Sequence, residues 1–250
     1  MRLGIIGVGH LAASILTGLT RAGWDPRDIC LSPRGHASNL ARRDGYTLAR
    51  DNADLVARCD LVLLAVRPKD AVSSVTGLAW REGQVLLSAC AGVSRTALAP
   101  AAPARVVRIM PITASELGAS PTLIYPATDA ARPFLEALGT AIDLTSEDQF
   151  NAATVSAAIY GWAQQLIIAG AEWSTEQGMD PATARQLAAQ TFTAAGRMQA
   201  EQDAPMRDIL NSLCTPGGIT QAGLDHLNTK GVTDSWRSTC DMVLNRLRQT

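Results

Sequence analysis

The order of apolar and polar positions divides the chain into two parts. In the first, short apolar runs alternate with helical patterns. Arg2 to Val8 reads as a strand and Leu11 to Ala22 as a helix. Asp28 to Ser32 is a second short strand, and Asn52 to Arg58 suits a helix capped by Asp51. Asp60 to Val66 (Asp-Leu-Val-Leu-Leu-Ala-Val) is a continuous apolar run, the kind buried on both faces of a parallel sheet. Gln84 to Ser88 and Arg105 to Ile109 repeat that theme. A further strand is expected near Leu123 to Tyr125 and a helix from Asp129 to Leu138. Strands separated by helical stretches predict right-handed βαβ units in a doubly wound sheet.

After residue 145 the strand signals stop. Glu147 to Gly178 carries no proline and is dense in alanine and other helix formers. Asp180-Pro181 reads as a cap followed by proline at the first helical position, opening a helix that runs to Gln202. Pro205 to Leu213, Thr220 to Lys230 and Thr233 to Arg248 predict three more helices. The expected fold is an α/β Rossmann-type N-terminal domain, residues 1–145, followed by an all-α C-terminal domain, residues 146–250. The helical part is apolar on several sides of its helices, so it needs something further to pack against. That predicts a homodimer through the helical domain, or a larger oligomer.

Composition narrows the function. With 22 Lys+Arg against 23 Asp+Glu the net charge is −1, too balanced for a nucleic-acid coat or a polybasic membrane binder. The 47% hydrophobic content excludes disorder, and the longest apolar runs fall well short of the roughly 20 residues of a membrane span. Aromatic residues make up only 4%, so the core must be aliphatic. Five cysteines are scattered without a C-x-x-C, which argues against a disulfide framework or a structural zinc site. His10, His36 and His226 have no metal-ligand spacing, so no metal is expected. The first residues lack the long apolar core of a secretory signal, and a cytoplasmic location is expected.

The chemistry begins at Gly7-Val8-Gly9-His10-Leu11-Ala12. This G-x-G-x-x-A follows the first strand and opens the first helix. The first glycine permits a tight turn, the second lets backbone approach a pyrophosphate, and Ala12 allows close packing of helix on strand. At the end of the second strand, where an NAD enzyme tends to place an acid, the chain has Leu31-Ser32-Pro33-Arg34-Gly35. A hydroxyl and a guanidinium suit a phosphate dianion, which favours NADP(H) over NAD(H).

Further segments line up in order with one family. They are Asn52, Ala65-Val66-Arg67-Pro68, Ser88-Ala89-Cys90-Ala91-Gly92 and Arg108-Ile109-Met110-Pro111. In the helical half they are Gly178-Met179, Gln190-Thr191, Met198, and Thr215-Pro216-Gly217-Gly218-Ile219-Thr220 before Gly223-Leu224. Over nearly its whole length the chain resembles pyrroline-5-carboxylate reductase, which makes proline from its cyclic imine. The resemblance implies hydride transfer from NAD(P)H to a ring C=N carbon in a dimer with interlocked helical domains. It implies that Gly7, Gly9, His10 and Leu11 hold the phosphates, and that Ser32, Arg34 and Asn52 lie near the adenosine ribose. It places Ala65, Val66, Pro68, Ala91 and Gly92 beside the nicotinamide. Thr215, Gly217, Gly218, Ile219 and Thr220 would hold the imino-acid carboxylate, with Thr220 bonding the ring nitrogen.

Two stretches depart from the family pattern. Its Met-Pro-Asn-Thr-Pro becomes Met110-Pro111-Ile112-Thr113-Ala114, and its Ser/Gly-rich helix turn becomes Ala157-Ala158-Ile159-Tyr160-Gly161-Trp162. Either Tyr160 is a pocket residue and proton donor in a reductase of a different, larger or substituted, cyclic imine, or Tyr160 and Trp162 are packing and proline synthesis persists. A non-catalytic dinucleotide-binding relative is a third reading. A hydroxyacid dehydrogenase would need a catalytic lysine on the first long helix, and Glu147 to Gly178 contains none.

Overall fold

The computed structural model describes residues 1–249. Its N-terminal part is built on one sheet of eight strands: β1 (Leu3–Ile6), β2 (Ile29–Leu31), β3 (Thr47–Leu48), β4 (Leu61–Leu64), β5 (Val85–Ser88), β6 (Arg105–Met110), β7 (Ser120–Tyr125) and β8 (Gly139–Asp143). The spatial order is β3-β2-β1-β4-β5-β6-β7-β8, with the order reversing at β1. All pairs are parallel except β6 with β7. Five helices accompany it: α1 (His10–Arg21), α2 (Ala37–Asp44), α3 (Asn52–Arg58), α4 (Ala71–Val75) and α5 (Arg132–Leu138).

The central strands are fully buried because each has apolar side chains on both faces. Successive residues of a strand point to opposite sides. Leu3, Ile5, Leu61, Leu63 and Leu87 therefore share one core with Ile15, Leu16 and Leu19 of α1 and Phe134 of α5. Ile6, Val62, Leu64 and Leu86 face the other core, with Leu55 and Val56 of α3 and Trp80. The elements expected from the sequence are present. Four had no expectation: α2, α4 and the two edge strands β3 and β8.

The remaining helices are α6 (Glu147–Ala153), α7 (Ser156–Glu176), α8 (Pro181–Glu201), α9 (Met206–Asn211), α10 (Ile219–Thr229) and α11 (Val232–Arg248). The proline-free stretch from Glu147 thus forms two helices, α6 and α7. The chain forms two compact units: Met1–Ala157 together with the end from Leu244, and Ala158–Val243. Within the second unit Trp162 meets Trp236 edge to face, with ring centroids 5.4 Å apart. Of its apolar side chains only Ala184 and Ile209 are buried among the described residues. Leu166, Ile168, Trp173, Leu187, Phe192 and Leu227 all lie exposed, far more apolar surface than an isolated unit ordinarily leaves in water. Among the described residues no helix is long and apolar enough to cross a membrane.

Candidate functional site

The loop between β1 and α1 has the geometry of an anion cradle. Gly7 has φ of +92°, and a Cβ there would stand 2.6 Å from Val66 Cγ1 and 2.7 Å from the Ala65 carbonyl oxygen. Only glycine meets both demands. Gly9 is the N-cap of α1, and no side chain caps it. A Cβ on Gly9 would meet nothing within 4 Å, so the missing methyl leaves open space above the loop. The first helical bond in α1 runs from the Ala13 N–H to the Gly9 carbonyl, so the N–H groups of His10, Leu11 and Ala12 have no helical acceptor. Those donors and the positive end of a 12-residue helix suit a pyrophosphate. Ala12 is wholly buried beneath the loop.

The chain after β2 is locked onto this loop. The His36 N–H donates to the Val8 carbonyl at 3.0 Å, and a Cβ on Gly35 would stand 2.5 Å from that same oxygen. The His10 and His36 rings meet edge to face at 5.7 Å. Ser32 lies under this loop. It is 2% exposed, and its Oγ accepts the Gly7 N–H at 3.2 Å. Its hydroxyl oxygen thereby supports the phosphate loop. Arg34 is exposed, and it shares a cavity of about 570 Å³ with Asn52. The Asn52 amide donates to the Ser74 carbonyl at 3.3 Å, tying the start of α3 to α4.

The strand ends on the other side of the switch point carry Ala65, Val66, Pro68, Ala91 and Gly92, all partly exposed. Cys90 is 2% exposed between them, and its thiol donates to the Val66 carbonyl at 3.4 Å. Burial pushes that thiol above the ordinary range, so it is a structural group and not a nucleophile.

Behind these strand ends lies a feature that the sequence reading missed. Arg108, on β6, has a side chain only 2% exposed. Its Nη1 donates to Glu147 Oε1 at 2.9 Å and to Asn151 Oδ1 at 2.8 Å, and its Cζ lies 4.4 Å over the Phe150 ring. The Arg95 N–H donates to the same Glu147 oxygen at 2.9 Å. Burial pushes the guanidinium below its usual value, and the Glu147 carboxylate opposes that. One buried cation thus joins β6 to α6.

The second unit carries the other predicted residues. Gly217 has φ of +74°, and the Gly218 N–H donates to the Thr215 carbonyl at 2.8 Å. Gly218 caps α10 without any side-chain bond. The N–H groups of Ile219, Thr220 and Gln221 precede the first bond of that helix, from Ala222 to Gly218. Thr215, Ile219 and Thr220 are exposed. Tyr160 is half-buried on α7, and Trp162 is engaged with Trp236.

Two family profiles match the chain. "Pyrroline-5-carboxylate reductase dimerisation" covers residues 147–250, and "NADP oxidoreductase coenzyme F420-dependent" covers residues 2–92. Pyrroline-5-carboxylate reductase 1 of Bacillus spizizenii is 29% identical over 249 residues, spanning 92% of this chain and 82% of its own. The reductase of Pseudomonas aeruginosa is 28% identical, spanning 92% and 89%. The chain is thus similar to pyrroline-5-carboxylate reductases over most of its length, and its helical half matches that family's dimerisation model.

Solved structures agree with that similarity. A 1-pyrroline-5-carboxylate reductase from Streptococcus pyogenes is 25% identical with a TM-score of 0.87, covering 100% of this chain and 99% of its own. A Plasmodium falciparum pyrroline carboxylate reductase, solved with NADP bound, shares the fold at a TM-score of 0.83 and 19% identity, covering 100% and 97%. Within the family frame, Gly35, Arg108, Glu147 and Asn151 are the residues whose roles the sequence reading did not supply. Gly35 could have been found from its place two residues beyond Pro33 in a turn. Arg108 and Glu147 gave no local signal, because their partnership spans 39 positions.

Proposed function

We propose that this chain reduces 1-pyrroline-5-carboxylate to proline with NADPH, as a cytoplasmic homodimer assembled through its helical unit. The observation that carries the substrate is the Thr215–Thr220 loop. Gly217 and Gly218 bring three uncapped N–H groups to the start of α10, with the Thr215 and Thr220 hydroxyls beside them. Successive amide donors at a helix start suit a carboxylate, so an imino acid needs no arginine there. The cofactor residues fit a dinucleotide, since a Cβ at Gly7 would close the turn and one at Gly9 would fill the open space over the amides.

When bound, a reduced nicotinamide supplies the hydride that the ring C=N carbon takes up. The ring nitrogen keeps its proton and becomes a secondary amine. The chain's part is orientation and charge placement. The His10, Leu11 and Ala12 amides would hold the pyrophosphate, with Arg34 for a 2′-phosphate and Asn52 for the ribose. Ala65, Val66, Pro68, Ala91 and Gly92 leave room for a flat ring at the strand ends. Thr220 orients the ring nitrogen by hydrogen bonding. A protonated imine is already electrophilic, so a dedicated general acid is optional. The exposed apolar side chains of α7, α8 and α10 support the dimer.

The test is steady-state oxidation of NADPH with pyrroline-5-carboxylate, with proline identified as product and mass measured by light scattering. Turnover by a dimer or larger assembly is expected. A chain that binds NADPH yet leaves the imine untouched across roughly pH 6 to 9 would remove the assignment.

A further inference from the structure

The cavity that holds Arg34 contains a second guanidinium. Arg50, from the turn between β3 and α3, lines the same space of about 570 Å³, together with Asp51, Asn52, Ser74 and Leu78. The one carboxylate among the lining residues is Asp51. Asp51 Oδ1 accepts the Asp54 N–H at 2.8 Å as the cap of α3. The cavity therefore has two guanidiniums and one carboxylate among its lining residues.

The two arginines differ in what holds them. Arg34 makes no hydrogen bond or ion pair among the described residues. Arg50 has one weak tether. Its Nη2 lies 3.4 Å from Asp54 Oδ1, and its side chain is 86% exposed. Asp54 does not depend on that contact, since it also accepts the Arg50 N–H at 3.0 Å and Arg58 Nη1 at 3.1 Å. An exposed pair of this length contributes little and is readily exchanged for a better acceptor. A phosphate dianion is such an acceptor, because a planar guanidinium can donate two parallel bonds to it. Leu78 gives the same cavity an apolar wall for a purine.

We infer that Arg50 acts with Arg34 as a two-guanidinium clamp on the 2′-phosphate of the adenosine ribose, making Arg50 a determinant of NADPH over NADH. The inference rests on the dinucleotide reading of the β1–α1 loop. It adds to that reading a residue from a different segment of chain, 16 positions beyond Arg34.

Calorimetry with two cofactor fragments tests the clamp without any turnover. The probes are adenosine 2′,5′-bisphosphate and 5′-AMP, with NADPH and NADH binding measured in parallel. The wild-type chain binds the bisphosphate at least about tenfold more tightly than 5′-AMP. Arg50→Ala weakens the bisphosphate about tenfold and leaves 5′-AMP within about twofold. Arg50→Lys falls between, since an ammonium is a point charge without the fork. Arg34→Ala/Arg50→Ala brings the two fragments to similar affinity. The Arg50 side chain is largely in solvent, so these variants keep the wild-type melting temperature. Equal weakening of both fragments by Arg50→Ala, or no weakening of either, overturns the inference while leaving the cofactor site standing. A wild-type chain that binds neither fragment nor either cofactor overturns the dinucleotide reading itself.

Discussion

The Arg108–Glu147 pair is the most exacting place to perturb the first unit. Glu147→Ala removes the carboxylate and leaves Arg108 with Asn151 as its only hydrogen-bond acceptor, in a position where 2% of the side chain reaches solvent. Two unit charges about 4 Å apart attract by about 4 kcal/mol at an effective dielectric of 20. Desolvation offsets part of that in the intact pair, but in the variant the cost remains without its compensation. Breaking a buried pair by removing one partner costs about 3–5 kcal/mol. For a chain of this size 1 kcal/mol corresponds to roughly 2–4 °C, so the melting temperature should fall by roughly 6–20 °C. Glu147→Gln keeps an acceptor for both Arg108 and the Arg95 N–H, and should cost about 2 kcal/mol. Arg108→Met/Glu147→Gln removes both charges and should recover to within about 2 kcal/mol of wild type. Circular-dichroism melts without cofactor, at one protein concentration, read all four chains on one scale. A Glu147→Ala shift under about 2 °C, or a double variant no better than Glu147→Ala, would refute the reasoning.

Other consequences follow from the same geometry. Gly9→Ala should leave the melting temperature unchanged, because its Cβ meets nothing within 4 Å, yet weaken NADPH by tenfold or more, roughly, by occupying the approach to the amides. Gly7→Ala should lose about 1–3 kcal/mol of stability as well as binding, since φ is +92° and the Ala65 oxygen is 2.7 Å away; equal melting of the two variants would contradict this. Tyr160→Phe should leave kcat with pyrroline-5-carboxylate within about twofold, and a loss of a hundredfold or so would mark Tyr160 as the proton donor. Asp25 is held at about 2 by Arg27, and Asp54, Asp180 and Glu201 are also lowered by hydrogen bonds. Asp25's contribution is present above the usual carboxylate range of about 4 and lost as pH falls toward about 2, and the other three act in the same direction, so urea midpoints should drop as pH falls below about 4. A flat acid limb would exclude it.

What could be read in the sequence was what repeats along the chain. A strand with neighbours on both sides and helices on both faces must be apolar at every position, so β1, β4 and β5 announce themselves. β3 and β8 sit at the two edges of the sheet, where one flank and much of the surface stay open. Thr47–Leu48 and Gly-Thr-Ala-Ile-Asp from Gly139 to Asp143 need no apolar run, and they carried none. The glycines of the phosphate loop were legible because their reason is a local backbone conformation. The occupation of Ser32 was not, since the burial of its hydroxyl depends on how β2 and its following turn close over Gly7. The pairing of Arg108 with Glu147 was beyond reach for the same reason, and so was the partner of Trp162. Trp236 lies 74 positions away, and its edge-to-face contact gives the bulk at Trp162 a packing role that needs no larger substrate ring.

Only some of the helices are closed at the start by a side chain; α2, α4, α5 and α9, like α1 and α10, have none. α3, α6 and α8 begin with Asp51, Ser146 and Asp180, each of which accepts a backbone N–H from its own first turn. These ends are closed by their own side chains, as an ordinary helix requires. α1 and α10 begin with Gly9 and Gly218, and no side chain closes either. At Gly9 a serine or aspartate would satisfy a donor and stabilise the helix by a few tenths of a kcal/mol, roughly, over glycine, whereas at Gly218 a Cβ would crowd the Thr215 hydroxyl. Both glycines lie in segments whose sequence resembles anion-binding motifs. The same arithmetic explains why neither loop needs a cationic side chain of its own: three unfilled amides and a helix dipole already provide the charge complement that a phosphate or carboxylate seeks. Under the proposed clamp, Arg34 and Arg50 stand one step farther out, where they would discriminate between cofactors rather than anchor them.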